Sequence, residues 1–319
     1  MSVIVFKYIQ ETSFLILIGK DYCFYNGLFK KNHYFYNQNS CQSNKVLKQN
    51  TFMNNSINQS IKFSKFHGAG NDFIMINAIN DQILLTEELI YNMCDRRTGI
   101  GADGLIILLP SDNYDFKMKY YNCDGKESTF CGNGGRCIAA FAHRQGIIND
   151  KATYEAVDGI HNVSVSLISF NEYHVELSMC DILSYKLEEN SLLIDTGSPH
   201  YVKKINNWHD LDVNTEGAKI RYDKNISKDG VNVDFLLNED GKIRIRTYER
   251  GVENETLACG TGVTASAIAA SLWFGGNNID VYTRIAKLNV RFDKIEGLFK
   301  NVILSGPATH VFDGIFIFA

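Results

Sequence analysis

The sequence contains two cysteine turns of the same form. Cys131-Gly-Asn-Gly and Cys259-Gly-Thr-Gly are each followed by small and apolar residues that favour a helix. Glycines permit a sharp turn with uncovered backbone N–H groups, and the first N–H groups of a helix have no intrahelical partner. Each turn therefore predicts an anion site at the positive end of a helix, with a cysteine beside it.

The chemistry of such a pair follows from its geometry. A thiolate at a helix N-terminus is stabilised by the helix dipole, so we expect the pKa of both cysteines to fall toward neutrality. The turns lie 128 residues apart, about one domain length, which indicates an internal duplication. If the halves face each other, a carboxylate is held between two helix ends, with a thiolate and a thiol on opposite faces of the adjacent carbon. This is a racemase or epimerase geometry that requires no metal or pyridoxal.

Other interpretations of these cysteines stay open. Either turn alone is also compatible with a structural cysteine beside a packed helix. Cys123, Cys131 and Cys137 are candidates for a zinc site, although their spacing lacks the short paired form of a zinc knuckle. A redox pair has no Cys-x-x-Cys motif in support, and the sequence shows neither a dinucleotide fingerprint nor a P-loop.

Further polar segments could complete a site around the cysteines. Glu249 and Arg250 adjoin at the end of a predicted strand, and they suit the ammonium and carboxylate groups of a zwitterionic amino acid. Asn71 and Asn122 lie in Gly- and Asp-rich connections, and His200 follows a turn. The alternatives are a surface ion pair for Glu249 and Arg250, plain turns for the asparagines and a structural role for the histidine.

Composition narrows the class of protein. The 319 residues are 45% hydrophobic and 21% charged, as in globular proteins of about two domains. A net charge of −4 argues against nucleic acid or an anionic membrane as a partner, and no apolar run approaches the ~20 residues that span a bilayer. Eight dilute cysteines and no convincing signal peptide predict a reducing cytoplasm.

Residues 1–60 differ from the rest of the chain. They hold nine Asn and six Lys but no Arg, and they carry +4 against −8 for the remainder. Three interpretations are open: a low-complexity arm, a basic aromatic arm that binds nucleic acid, or translated sequence upstream of a true start at Met53. We favour the last, and we therefore expect activity to stay intact after truncation.

The residues after position 60 are predicted to form a strand-rich domain with few helices. Strands are predicted over residues 61–66, 73–77, 105–109, 116–121, 162–167, 173–177, 192–195, 243–248, 289–292 and 302–304.

Read in chain order, several motifs resemble the diaminopimelate epimerase family. They are His-Gly-Ala-Gly-Asn-Asp-Phe at 67–73, Asn-Cys-Asp-Gly at 122–125, Cys-Gly-Asn-Gly-Gly-Arg at 131–136, Ser-Pro-His at 198–200 and the segment 249–262. The resemblance implies an α/β fold of the α+β type, with two pseudo-symmetric domains that are each a barrel-like mixed sheet around a central helix. The implied halves are residues 61–178 and 179–306, with 307–319 returning to the first half.

The resemblance also implies an activity. Members interconvert LL- and meso-2,6-diaminoheptanedioate without a cofactor, in lysine and peptidoglycan-precursor synthesis. We accordingly expect a cytoplasmic enzyme, with a homodimer as a further expectation, and no nucleic acid, membrane or metal partner. The rival enzyme class is a proline or hydroxyproline racemase, and a third reading is a catalytically silent protein that binds the same diamino acid.

The resemblance assigns roles residue by residue. Cys131 and Cys259 match the acid–base pair, while His200 and Glu249 match residues that tune the thiols. The substrate-binding positions are Asn71, Asn122, Gly132, Asn133, Ser198, Asn232, Glu249, Arg250, Gly260 and Thr261, of which Gly132, Asn133, Gly260 and Thr261 hold the reacting carboxylate. Two positions depart from the family: Ser198 replaces an Asn found in many members, and Gly104 replaces a Gln that contacts substrate in some.

Overall fold

The computed structural model describes residues 5–7, 13–18, 21–26, 59–81 and 83–318. The chain divides into two compact units, residues 1–55 and 56–319. In the first unit, β1 (Val5–Lys7), β2 (Ser13–Ile18) and β3 (Asp21–Asn26) pair antiparallel in a sheet of their own. Most of residues 1–60, Met53 included, lie outside the described residues, so their assignment as an extension stays a prediction.

The second unit carries the remaining described elements. Its first half contains β4 (Gln59–Gly68), β5 (Asn71–Asn77), α1 (Glu87–Cys94), β6 (Gly104–Leu109), β7 (Phe116–Asn122), α2 (Gly132–Arg144), β8 (Lys151–Ala156), β9 (Gly159–Leu167) and β10 (Glu172–Ser178). Its second half contains β11 (Tyr185–Leu187), β12 (Ser191–Asp195), β13 (Pro199–Ile205), α3 (Val213–Arg221), β14 (Asn232–Glu239), β15 (Lys242–Glu249), β16 (Asn254–Thr256), α4 (Gly260–Phe274), β17 (Asn278–Tyr282), β18 (Lys287–Ile295) and β19 (Leu298–Phe318).

The first half is a closed barrel around α2. Strands β4 to β10 are neighbours in sequence order, and β19 pairs with both β10 and β4, which closes a ring of eight strands. Every residue of α2 from 132 to 142 is buried. Glycine and alanine make up much of this helix, and small residues let the surrounding strands approach its backbone closely.

The second half repeats the same pairing pattern. In the first half β4 and β5 are antiparallel, β5 and β6 parallel, β6 and β7 antiparallel, and β7 and β8 parallel. The series β12, β13, β14, β15 and β17 follows the same alternation. Helix α4 packs against this sheet with residues 260–271 buried, as expected of a helix that is apolar on all sides. The repeated order is the internal duplication that the cysteine turns predicted.

One long strand connects the two sheets. The first part of β19 pairs with β18, and residues 309–318 pair with β4 farther along the same edge, while β10 pairs with the opposite edge. Because β19 is hydrogen-bonded along its whole length, it belongs both to the barrel of the first half and to the sheet of the second half. This shared strand helps to bring the N-terminal ends of α2 and α4 together.

The predicted strands are confirmed, since each of the ten ranges lies within an observed strand. The two helices predicted after the cysteine turns are also present. Strand β14 was not predicted, because residues 232–237 are buried on both faces and lack the alternation that marks a half-exposed strand. Helix α3 was missed although Asp212 caps it through the backbone N–H groups of Asn214 and Thr215. Among the described residues, no helix is long and apolar enough to cross a membrane.

Candidate active site

The N-terminal ends of α2 and α4 meet in the middle of the second unit. Cys131 and Cys259 are their N-caps, with nearly identical backbone angles (φ −122°, ψ 116° and φ −115°, ψ 119°). A Cβ atom placed on Gly260 would lie only 3.0 Å from the Cα of Gly132, so glycine is needed for this approach. Two positive helix ends therefore converge with a cysteine on each, which creates a site for an anion.

Side chains of α2 hold the two helix ends together. The Asn133 amide donates a hydrogen bond of 2.9 Å to the carbonyl of Ala258, the residue before Cys259. The fully buried Arg136 donates to the Asn133 side chain at 2.9 Å and to the Gly132 carbonyl at 3.2 Å. No carboxylate of the described residues forms an ion pair with Arg136, so its charge adds to the positive potential beneath the helix ends. Sequence reasoning assigned Arg136 no role, since nothing local signals this packing.

Cys131 faces an amide that is held by charged groups. Its thiol donates to Oδ1 of Asn71 at 3.5 Å, and Nδ2 of Asn71 donates to Asp103 at 2.6 Å. Asp103 also receives a hydrogen bond of 2.6 Å from Arg96, which binds Asp72 as well. With its NH₂ group engaged by Asp103, the Asn71 amide presents its oxygen to the thiol. The parallel pairing of β5 with β6 brings Asn71 and Asp103 together, a contact that sequence reasoning missed.

Cys259 faces a buried chain of polar groups. Its sulfur lies 3.3 Å from the Thr261 hydroxyl, which lies 2.8 Å from Nε2 of His200. Nδ1 of His200 lies 2.7 Å from a carboxylate oxygen of Asp234, and Thr247 donates to the other oxygen at 2.6 Å. Because a carboxylate only accepts, Nδ1 of a neutral His200 carries the hydrogen and Nε2 is an acceptor. The hydrogen bonds can then run from the thiol to Thr261 and on to His200.

The expectation that both thiols have a pKa near neutrality is wrong. Burial raises the pKa of Cys131 to about 11 and that of Cys259 well above its ordinary value, and nearby Glu249 raises both further. Backbone N–H groups at the helix ends, Gly134 and Asn133 for Cys131, act in the opposite direction but less strongly. Loss of hydration thus outweighs the helix dipole, and both sulfurs are held as thiols at neutral pH.

Glu249 and Arg250 lie at the end of β15, beside the cysteines. Glu249 interacts electrostatically with Cys131, Cys259 and His200, and burial raises its pKa. Arg250 donates through its backbone N–H to Asn232 at 2.8 Å, and its guanidinium reaches the Gly230 carbonyl at 3.4 Å. Within the part of the chain that the structure describes, neither side chain forms an ion pair. The alternative of a surface ion pair between them is therefore wrong.

The remaining predicted residues lie at strand ends around this centre. Asn232 begins β14, and its amide donates a hydrogen bond of 2.8 Å to the hydroxyl of Ser198. This contact fixes the position of Ser198, the residue that stands where many family members have an asparagine. Asn122 ends β7 and pairs with Gly104 across the strands. Cys123 is exposed, whereas Cys137 is a buried residue of α2. Among the described residues no three His, Cys, Asp or Glu side chains are grouped to hold a metal ion, so these cysteines do not form the alternative zinc site.

Comparison with known proteins identifies the family of this chain. Two related sheets, each with a cysteine-capped central helix, are the arrangement that we expected of an epimerase with two cysteines. The family model for diaminopimelate epimerase matches residues 63–172 and 192–310, and the chain belongs to that family. The diaminopimelate epimerase of Flavobacterium psychrophilum is 45% identical over 79% of this chain and 99% of its own length. That of Chlorobaculum tepidum is 40% identical over 77% and 98%.

Solved structures agree on the fold. A phenazine biosynthesis protein of the PhzF family from Bacillus anthracis superposes with a TM-score of 0.64 at 14% identity, covering 82% of this chain and 100% of its own. A hydroxyproline epimerase from Agrobacterium vitis gives 0.60 at 13% identity, covering 81% and 92%. Identities this low show a shared fold alone, so the expected two-sheet architecture is confirmed, and these structures do not inform the substrate.

Proposed function

We propose that this enzyme interconverts LL- and meso-2,6-diaminoheptanedioate, with Cys131 and Cys259 as its acid and base. The observation that carries the proposal is the convergence of two cysteine-capped helix ends on one anion site. The names of the relatives supply the substrate, a diamino dicarboxylate. The arrangement of the residues supplies the chemistry, which is proton transfer at the carbon next to a carboxylate.

The reacting carboxylate is bound by the free backbone N–H groups of the first helical turns. Gly132 and Asn133 contribute from α2, and Gly260 and Thr261 from α4. When a thiolate removes the α-proton, the electron pair of the C–H bond moves into this carboxylate, and the helix ends stabilise the developing charge. The opposite thiol then delivers its proton to the other face of the carbon. The configuration is inverted and the two sulfurs have exchanged protonation states.

Proton abstraction requires that one thiol first lose its own proton to form a thiolate. The groups hydrogen-bonded to the two sulfurs differ in their ability to accept that proton. The proton of Cys259 can pass to the Thr261 oxygen while the Thr261 proton passes to Nε2 of His200. The imidazolium that results is paired with the buried Asp234. Cys131 donates instead to the amide of Asn71, which accepts a hydrogen bond but takes up no proton at neutral pH. Cys259 therefore has a route for its proton that Cys131 lacks, and we assign Cys259 as the sulfur that forms the thiolate and Cys131 as the thiol that delivers a proton.

The groups around the thiols suit a substrate with two charged ends. Arg250 forms no ion pair with a carboxylate of the described residues, so its charge suits the far carboxylate of the substrate. Glu249 is placed for an ammonium group, with Asn71, Asn122, Asn232 and Ser198 supplying further hydrogen bonds. A proline ring has no second charged end to use these groups. This equipment favours the diamino dicarboxylate over the racemase substrate.

The same proposal extends to the enzyme's setting. We expect a cytoplasmic homodimer that needs no cofactor, since both proton transfers use side chains of the chain itself. Removal of residues 1–52 is expected to leave activity intact. Loss of soluble enzyme after that truncation would show that the first residues belong to the working protein.

NMR in D₂O tests the activity directly. Purified protein is mixed with LL-diaminoheptanedioate, without pyridoxal or added metal, and deuterium entry at the α-carbon is followed together with the meso isomer. Exchange accompanied by epimerisation supports the proposal. Exchange with proline but not with the diamino acid would assign the chain to the rival racemase class. Calorimetric binding without any exchange would leave a silent binding protein.

A further inference from the structure

The two halves differ at one equivalent position beside the cysteines. Gly104 and Asn232 are the first residues of β6 and β14, and each pairs with the preceding parallel strand, at Phe73 and His200 respectively. In the second half this position carries an amide that binds Ser198. In the first half it carries no side chain at all.

The ring of Tyr120 occupies the space that a side chain at Gly104 would take. A Cβ atom on Gly104 would lie 2.6 Å from Cε2 and 3.2 Å from the hydroxyl oxygen of Tyr120. The ring also packs edge-on against Phe73, with centroids 5.8 Å apart and an interplanar angle of 82°. The glycine and the tyrosine therefore form a complementary pair, in which the missing side chain of one makes room for the other.

Side-chain alternation along β7 turns Tyr120 toward the candidate active site. Side chains alternate along a strand, so Tyr120 and Asn122 lie on one face and Tyr121 on the other. Tyr120 packs with the core around α2, whereas Tyr121 packs with the separate core formed by α1. The charged or titratable groups that act on Tyr120 most strongly are Cys131 and then Glu249, which are both groups of the candidate active site.

The hydroxyl of Tyr120 has no hydrogen-bond acceptor among the residues that the structure describes. Burial raises the pKa of this phenol well above its usual value, and the neighbouring acids raise it further, so it keeps its hydrogen at neutral pH. Tyr120 is half-buried, so this hydroxyl can donate to a bound substrate in place of water.

We propose that the Tyr120 hydroxyl, whose ring fits beside Gly104, binds the substrate on the Cys131 side of the site and donates to a carboxylate oxygen. This assignment rests on the proposed function, because it concerns the same substrate. It makes Tyr120 a specificity-determining residue that no motif in the sequence indicated. The phenol takes no part in proton transfer, so its contribution is to substrate affinity.

The test compares Tyr120→Phe with the matched control Tyr121→Phe, which removes a hydroxyl from the other face of the same strand. KM and kcat are measured for LL-diaminoheptanedioate, and thermal melting is recorded for each variant. We expect Tyr120→Phe to raise KM about tenfold, the worth of one hydrogen bond, with kcat within about twofold of wild type and an unchanged melting temperature. Tyr121→Phe is expected to match the wild type.

Several outcomes would overturn the assignment. A wild-type KM in Tyr120→Phe would show that the hydroxyl does not touch the substrate, and a loss confined to kcat would show a role other than binding. Tyr120→Leu, which also lacks the ring, is expected to raise KM at least as much, and the melting temperature of each variant shows whether it is folded. If wild-type enzyme shows no exchange with this substrate, the proposed function fails first, so the two failures are distinguishable.

Discussion

The surroundings of Cys131 and Cys259 differ more than their positions do. Both residues cap a buried helix with the same backbone conformation, and both face the same anion site. Cys131 contacts an amide held by Asp103, whereas Cys259 contacts a hydroxyl that leads to a buried His–Asp pair. A duplicated fold thus supplies two equivalent positions, and the unlike residues around them are the basis on which we propose an acid and a base.

The strongest test of this comparison removes each sulfur in turn. Cys131→Ser and Cys259→Ser are each expected to lower the rate of epimerisation by about 10³-fold or more, because a serine hydroxyl is a far weaker base near neutral pH and a poorer acid. The rate is measured by the appearance of the meso isomer. The exposed Cys180 provides the control, since Cys180→Ser is expected to retain activity. Near wild-type turnover in either active-site variant would end the two-base scheme.

A smaller effect is expected behind Cys259. Asp234→Asn removes the carboxylate that holds the ring of His200 and pairs with its charge, so Nε2 is no longer kept as an acceptor. We expect kcat/KM to fall about 100-fold, as for loss of a charge-assisted hydrogen bond. A lower melting temperature with wild-type kcat/KM in the folded variant would restrict Asp234 to a structural role.

The equivalent change behind Cys131 is expected to matter less. Asp103→Ala frees the amide of Asn71 to rotate, but it removes no group from the proton path that we assign to Cys259. We expect kcat/KM to fall about tenfold, the worth of one hydrogen bond. Steady-state kinetics of the Asp103 and Asp234 variants side by side give the ranking. Equal losses would show that the halves are functionally symmetric.

The mildest test uses the protein without substitution. Alkylating reagents attack the thiolate, and a pKa of about 11 leaves little thiolate on Cys131 at pH 8. Its modification by iodoacetamide is therefore expected to be slower than that of the exposed Cys123 and to accelerate as pH rises toward 11. Peptide mass spectrometry measures the two rates. Faster labelling of Cys131 than of Cys123 at pH 7 would revive the helix-dipole expectation.

Much of this protein follows from local patterns in its sequence. The glycines after Cys131 and Cys259 and the small residues beyond them indicated two buried helices with cysteines at their ends, and both helices are present. The 128-residue spacing indicated the duplication that the strand order displays. These features were accessible because turns, helices and strand alternation depend on neighbouring residues.

Tertiary structure alone decided which distant groups act on each sulfur. Asp103 immediately before β6 and Asp234 in β14 lie more than 30 residues from Asn71 and His200, which they hold, and the pairing of neighbouring strands brings them together. Strand pairing likewise sets Tyr120 of β7 beside Gly104 of β6. It also decided the acidity of the thiols. A helix end lowers a pKa wherever it occurs, but the opposing cost of burying a charge depends on how completely the surrounding sheets exclude water, and this is settled only when the whole chain has packed.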